Sequence, residues 1–147
     1  MKIKMTKEFI KKLPKTDLHV HLDGSVRIET IIDLAKKYNI KLPTMEPAEL
    51  RKLLVCGEQT ISLDDYLRAF PIVNLVLQNE EGLRRAAYEL AEDAAAENVR
   101  YMEVRYSPIL HTDQGLKLTE ISQAVIDGLQ QGERDFGIKT GVIICGI

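Results

Sequence analysis

Several function classes ask for features that this chain has little of. Cysteine is scarce: Cys56 and Cys145 are the only two, they have no metal-ligand spacing, and they read as reduced thiols. A basic excess is missing. The net charge of -2 argues against a nucleic-acid binder or a protein held on an anionic membrane. No apolar run approaches the roughly 20 residues that a membrane helix needs. The stretch from Met1 to Lys12 is basic but broken by charges, so it lacks the apolar core of a secretory signal. Internal repeats, low-complexity tracts and glycine-rich phosphate loops are absent too. The reduced thiols predict a cytoplasmic protein.

What is there fits one globular unit. The 147 residues, 45% hydrophobic and 29% charged, are enough to bury a core. Near the start, Leu18, Val20 and Leu22 alternate with Asp17, His19, His21 and Asp23. A period of two is the mark of a strand with unlike faces. It puts His19 and His21 on one face, about 7 Å apart along the chain. Two imidazoles flanked by carboxylates suit one transition metal approached from one side. The bland reading is a wet surface strand, but no Lys, Arg, Ser or Thr interrupts the polar face between Asp17 and Asp23. Gly24 stops the strand, and Ser25 is placed to cap the next helix. A strand end followed by loop and helix is where barrel enzymes build their sites.

The run Leu18-His19-Val20-His21-Leu22-Asp23-Gly24-Ser25 resembles the first-strand motif of the adenosine deaminase family, zinc-dependent (β/α)8 barrels of the TIM type. Three later stretches resemble the same family in the same order. They run from Ser62 to Phe70, from Tyr101 to Pro108, and from Gly128 through Phe136 to Lys139. The resemblance extends from Leu13 to Ile147. A complete barrel takes roughly 250 residues, so residues 1–147 are expected to form the N-terminal part of one barrel domain, with about its first three strands.

In chain order, the pattern predicts a short helix over Lys7–Lys12, broken by Pro14, and a strand over Asp17–Leu22. A helix follows from Arg27 to Tyr38, with Ile28, Ile31, Ile32, Ala35 and Tyr38 inward and Asn39 as its stop. Pro47–Leu54 is a short helix with proline in its first turn. Val55–Ile61 is a loop, and Ser62 is placed to cap a helix with Asp64 and Asp65 in its first turn. Leu63, Tyr66, Leu67 and Phe70 recur at helical spacing as an apolar stripe whose default role is core packing, and Pro71 is expected to kink that helix.

Glu80–Asn98 is a helix with Leu83, Ala86, Ala87, Leu90, Ala91 and Ala94 inward and its acids outward. Val99–Ser107 is a strand, with Tyr101, Glu103, Arg105 and Ser107 on one face and Met102, Val104 and Tyr106 on the other. His111 lies in the loop Pro108–Lys117 and reads as solvated. A helix opens at Leu118-Thr119, with Thr119 and Ser122 as candidate caps, and ends at Phe136-Gly137. Lys139–Gly146 is a strand of buried type. The βα series predicts a parallel sheet.

The resemblance implies the rest. It makes His19 and His21 ligands of one Zn2+, with His21 also near the substrate. It gives Asp23 to the sugar of a purine nucleoside, against a plainer role of orienting the loop. It makes the helical insertion at about 44–79 a cover whose residues Leu63, Tyr66, Leu67 and Phe70 wall the base. It favours Glu103 and Arg105 inside the barrel as architectural residues, paired with each other or with later strands. The implied reaction is hydrolytic deamination of adenosine to inosine and ammonia.

The third histidine ligand, the aspartate ligand, the glutamate proton donor and a further histidine have no matching position here, so no general acid or base is assigned. The expected partners are a purine nucleoside and the missing C-terminal part or another copy of the chain. The chain alone is expected to be inactive. Two alternatives stay open. One is a related deaminase of adenine, a modified nucleoside or a nucleotide. The other is a non-catalytic nucleoside-binding or assembly fragment.

Overall fold

A computed structural model describes residues 5–55, 57 and 62–146, apart from the side chains of Asp65 and Tyr66. Its centre is a three-stranded parallel sheet in the order β1-β2-β3, formed by Lys15–His21, Val99–Tyr106 and Lys139–Ile144. Among the described residues, seven α-helices surround or precede the strands: α1 Lys7–Lys12, α2 Ile28–Tyr38, α3 Pro47–Leu54, α4 Leu63–Leu67, α5 Ala69–Val76, α6 Glu80–Ala96 and α7 Leu118–Phe136. A 3-10 turn, Pro108–His111, follows β2. Parallel neighbours need a crossover. Here α7 links β2 to β3, while α2–α6 all lie between β1 and β2.

The helix side of the sheet carries the core. On β2, Met102, Val104 and Tyr106 are buried in one cluster with Leu83, Ala87 and Leu90 of α6 and Ile121, Val125 and Leu129 of α7. The opposite face of β2, with Tyr101, Glu103 and Arg105, is only half-covered. That split is the expected one for a strand whose outer face meets helices. Helices α6 and α7 approach closely because Gly128 offers no side chain. A Cβ there would lie 2.2 Å from the Arg84 carbonyl oxygen and 2.9 Å from the Ala87 Cβ. At the end of α7, Gly137 takes the left-handed conformation at φ 70° and its N–H closes on the Glu133 carbonyl, the usual glycine stop.

The structure corrects several local expectations. Ser25 does not cap α2; Arg27 holds the cap position without a side-chain capping bond, and the Ser25 hydroxyl turns back to donate to the His21 carbonyl at 2.6 Å. Tyr38 lies outside the core at the end of α2, where its hydroxyl donates to Glu81. Neither Thr119 nor Ser122 caps α7. The helix starts at Leu118, and the Glu120 carboxylate accepts from the Lys117 N–H. The run expected as one kinked helix is two. It breaks at Arg68, and Pro71 sits in the first turn of α5, where its missing N–H costs nothing.

Not every acid of α6 faces out. Glu89 is buried, accepting from Thr30 and from Arg85 Nε at 2.7 Å. The loop expectation for Val55–Ile61 falls largely outside the described residues, as does Cys56. No helix among the described residues is long and apolar enough to cross a membrane.

Candidate metal and nucleoside site

The site begins with an irregularity in β1. Its register against β2 shifts between Asp17 and Val20. A shifted strand leaves ladder groups unpaired, and here side chains take them up. The Asp17 carboxylate accepts from the His19 N–H at 3.0 Å, and Arg105 Nη2 donates to the Leu18 carbonyl at 3.1 Å. Arg105 is therefore a backbone holder for the histidine strand. It does not pair with Glu103, which instead accepts from the Tyr101 hydroxyl at 3.0 Å. The two residues do not form the mutual pair that the expectation allowed; each has a different partner.

His19 within the irregularity and His21 just past it lie side by side. Their ring centroids are 5.4 Å apart and the planes are inclined by 31°. Neither residue is buried. The backbone then turns at Leu22, and Asp23 is carried inward: only 5% of it is exposed. Its Oδ1 lies 3.8 Å from His21 Nδ1 and has no hydrogen-bond partner among the described residues. Burial raises the Asp23 pKa above the ordinary value, while the His21 ring and the backbone N–H groups of Asp23 and Gly24 pull it down. A buried carboxylate oxygen with nothing bonded to it is costly, and it suits a ligand hydroxyl.

The donor set fits part of a zinc site. Imidazole nitrogen is a ligand that zinc favours, and a carboxylate beside a ligating ring helps to orient it. Among the described residues no cluster of three or more His, Cys, Asp or Glu could enclose an ion.

Phe70 of α5 meets His21 edge-on, with centroids 6.3 Å apart. A cavity of about 340 Å³ opens beside it, lined by Asp23, Ser25, Arg51, Leu54, Phe70 and Val73 among others. Arg27 reaches this cavity already committed, with Nη2 2.6 Å from Asp93 and 2.7 Å from Glu92. Of the four residues expected to wall a base, Phe70 is the one at the cavity. Leu63 and Leu67 of α4 are exposed and do not line it, and the Tyr66 side chain lies outside the described residues.

One histidine departs from its expected place. His111 is not solvated; it is fully buried, its ring 6.2 Å from that of Tyr106. Neither ring nitrogen has a hydrogen-bond partner among the described residues. Burial lowers its pKa from 6.5 to about 4, with the Leu77 backbone and the Asp113 carboxylate acting the other way. It lies in the turn after β2, apart from His19 and His21. Gln78 is a further polar residue that the sequence pattern does not single out. It is buried and bonds three backbone groups, and its only sequence signal is an amide just after the apolar Leu75-Val76-Leu77 run.

Known proteins share this chain's sequence pattern and arrangement of strands. A family model described as adenosine deaminase matches residues 14–147. An adenosine deaminase of Clostridium botulinum is 48% identical over 134 residues, which is 91% of this chain and 40% of the relative. The chain thus spans about two-fifths of the length of that curated relative. Among solved structures, an amidohydrolase from Burkholderia ambifaria with bound Zn superposes with a TM-score of 0.79 at 29% identity, over 97% of this chain and 39% of that one. An adenine deaminase from Arthrobacter aurescens gives 0.79 at 31%, over 89% and 39%. The three parallel strands are therefore a portion of an amidohydrolase-type (β/α)8 barrel.

Proposed function

The chain belongs to the adenosine deaminase family, and from that premise we propose that it serves the zinc-dependent hydrolytic deamination of adenosine to inosine and ammonia. The observation that carries this reading is the pair of imidazoles, 5.4 Å apart, standing beside a buried carboxylate with an unbonded oxygen. In this reading His19 and His21 hold the metal. Held there, zinc would supply an acidified water, the pKa of a coordinated water falling from about 15.7 toward 7. Asp23 accepts a hydrogen bond from a sugar hydroxyl through its free Oδ1. Phe70, beside His21 and the cavity, walls the purine. The carbon bearing the amino group gains the oxygen of water, and the nitrogen leaves as ammonia.

Two ligands fall short of the three protein ligands a catalytic zinc uses. The reading therefore needs further donors, and a general acid, beyond the described residues of one copy, either from further sequence or from a second copy of the chain.

Zinc stoichiometry and adenosine turnover test the reading together. Native mass spectrometry should find one zinc per active unit. The double variant His19→Ala/His21→Ala should lose both the ion and ammonia release. Stoichiometric zinc retained in that variant would sink the assignment. A second reading, deamination of free adenine, rests on the 31% identity to the Arthrobacter enzyme. A panel of adenosine, deoxyadenosine, adenine and adenosine monophosphate separates the two by kcat/KM.

A further inference from the structure

Three backbone groups from two separate segments converge on the side chain of Gln78. Its Nε2 donates to the Asn74 carbonyl at 2.9 Å and to the Leu110 carbonyl at 2.9 Å. Its Oε1 accepts from the Asp113 N–H at 3.0 Å. The partners fix which way the amide points, since carbonyls need its donors and the N–H needs its acceptor. Asn74 lies in the last turn of α5, while Leu110 and Asp113 belong to the turn after β2. One buried side chain thus fastens the C-terminal end of α5 to that turn.

The turn is a firm post. Pro108 and His111 are buried beneath it, and the Ser107 hydroxyl just before it donates to the Cys145 carbonyl at the end of β3. The other end of α5 carries Phe70, which meets His21, and its middle carries Val73; both line the 340 Å³ cavity. A helix of eight residues is about 12 Å long and moves as a rod. Fixing one end sets the pose of the other.

We propose that Gln78 is a positioning residue. By clamping α5 to the turn after β2, it holds the Phe70 wall at the distance from His21 that a bound purine requires. This rests on the reading of the cavity wall as part of the nucleoside pocket. Gln78 touches no substrate and acts through α5.

The test compares the wild type with Gln78→Met, which keeps the volume and removes all three bonds, and with Leu129→Ala, which weakens the core without touching the clamp. Hydrogen exchange followed by mass spectrometry should show residues 69–76 and the Asp113 amide exchanging about tenfold faster or more in Gln78→Met. Residues of α7 should be unchanged. In the active protein, adenosine KM should rise about tenfold while kcat stays within about twofold. Unaltered exchange at those residues, or exchange and kinetics that match Leu129→Ala, would overturn the proposal. Exchange reads out whether or not adenosine is turned over. An active unit complete in its zinc ligands that still releases no ammonia refutes the functional reading, and the exchange data alone then decide whether the clamp exists.

Discussion

Lowering the pH from 7 to 5 confronts the fold with a choice at His111: keep the ring neutral or take a charge into the core. The ring has no exposed surface, and its pKa falls from 6.5 to about 4 because burial penalises the cation. The unfolded chain titrates near the ordinary value. Between the two pKa values the unfolded state binds a proton that the folded state refuses, so stability drops as pH drops. The contribution is fully present above about pH 6.5 and is lost as pH falls toward 4.

Linkage sets the loss between pH 7 and 5 at about 2 kcal/mol. Carboxylate effects belong to lower pH. Glu81 and Glu133 have lowered pKa values, so what they contribute is lost as pH falls below the ordinary glutamate range. Asp23, raised by burial, has the opposite sign and favours the fold as it protonates. His111→Phe keeps an aromatic ring beside Tyr106 and has no proton to bind. Urea unfolding followed by far-UV circular dichroism, with chelator present to remove metal linkage, measures the difference. The wild-type midpoint should fall by about 1 M between pH 7 and 5, and the variant's should fall much less. Equal falls in both proteins would mean that His111 is not the group whose protonation the fold resists.

Two stability predictions accompany the tests of His19/His21 and of Gln78. Gly128→Ala forces a methyl group against the Arg84 carbonyl, backbone that cannot turn aside. It should cost at least about 2 kcal/mol, read as a lower Tm; an unchanged Tm would mean that α6 and α7 are not packed this closely. Thr30→Val removes a hydroxyl donor from the buried Glu89 carboxylate while keeping the shape. It should cost about 1–2 kcal/mol in denaturant unfolding, and a neutral result would show that Arg85 alone satisfies that carboxylate.

Periodicity made the sheet and most helices legible. The helical spacing of Ile28, Ile31, Ile32 and Ala35 reports one face buried against one layer, which is a local signal; the period of two over Asp17–Leu22 marked the strand, although Leu18 stays exposed in it. Stops were readable for the same reason: Asn39 and Gly137 both adopt positive φ, as their side chains or lack of one allow. His19 and His21 could be paired because two residues on one strand share a face whatever the strand packs on. His111 could not be placed that way. It lies in an aperiodic turn, and its burial comes from Tyr106 and from the Leu77 region between α5 and α6. Leu77 is distant in sequence. The break at Arg68 is similar: residues 63–70 carry a helical stripe, but tertiary packing splits them, leaving Leu63 exposed and turning Phe70 to His21. Ser25 failed as a cap because its hydroxyl found the nearer His21 carbonyl, a competition that short polar side chains often enter.

The spacing of the strands along the chain has a consequence for how the protein is made. Within this sheet β1 pairs with β2, beginning at Lys15 opposite Val99, while β2 meets β3 from Tyr101 opposite Lys139. Closing the longer segment costs more chain entropy, by about 0.6 kcal/mol for each doubling of length. The shorter β2–α7–β3 unit is the one that closes more readily. During synthesis β1 emerges roughly 80 residues before its partner, which at about 5–20 residues per second is a wait of roughly 4–16 s. Through that interval the strand bearing both imidazoles waits without β2 beside it, its Leu18 carbonyl still lacking the Arg105 donor that holds it in the folded sheet.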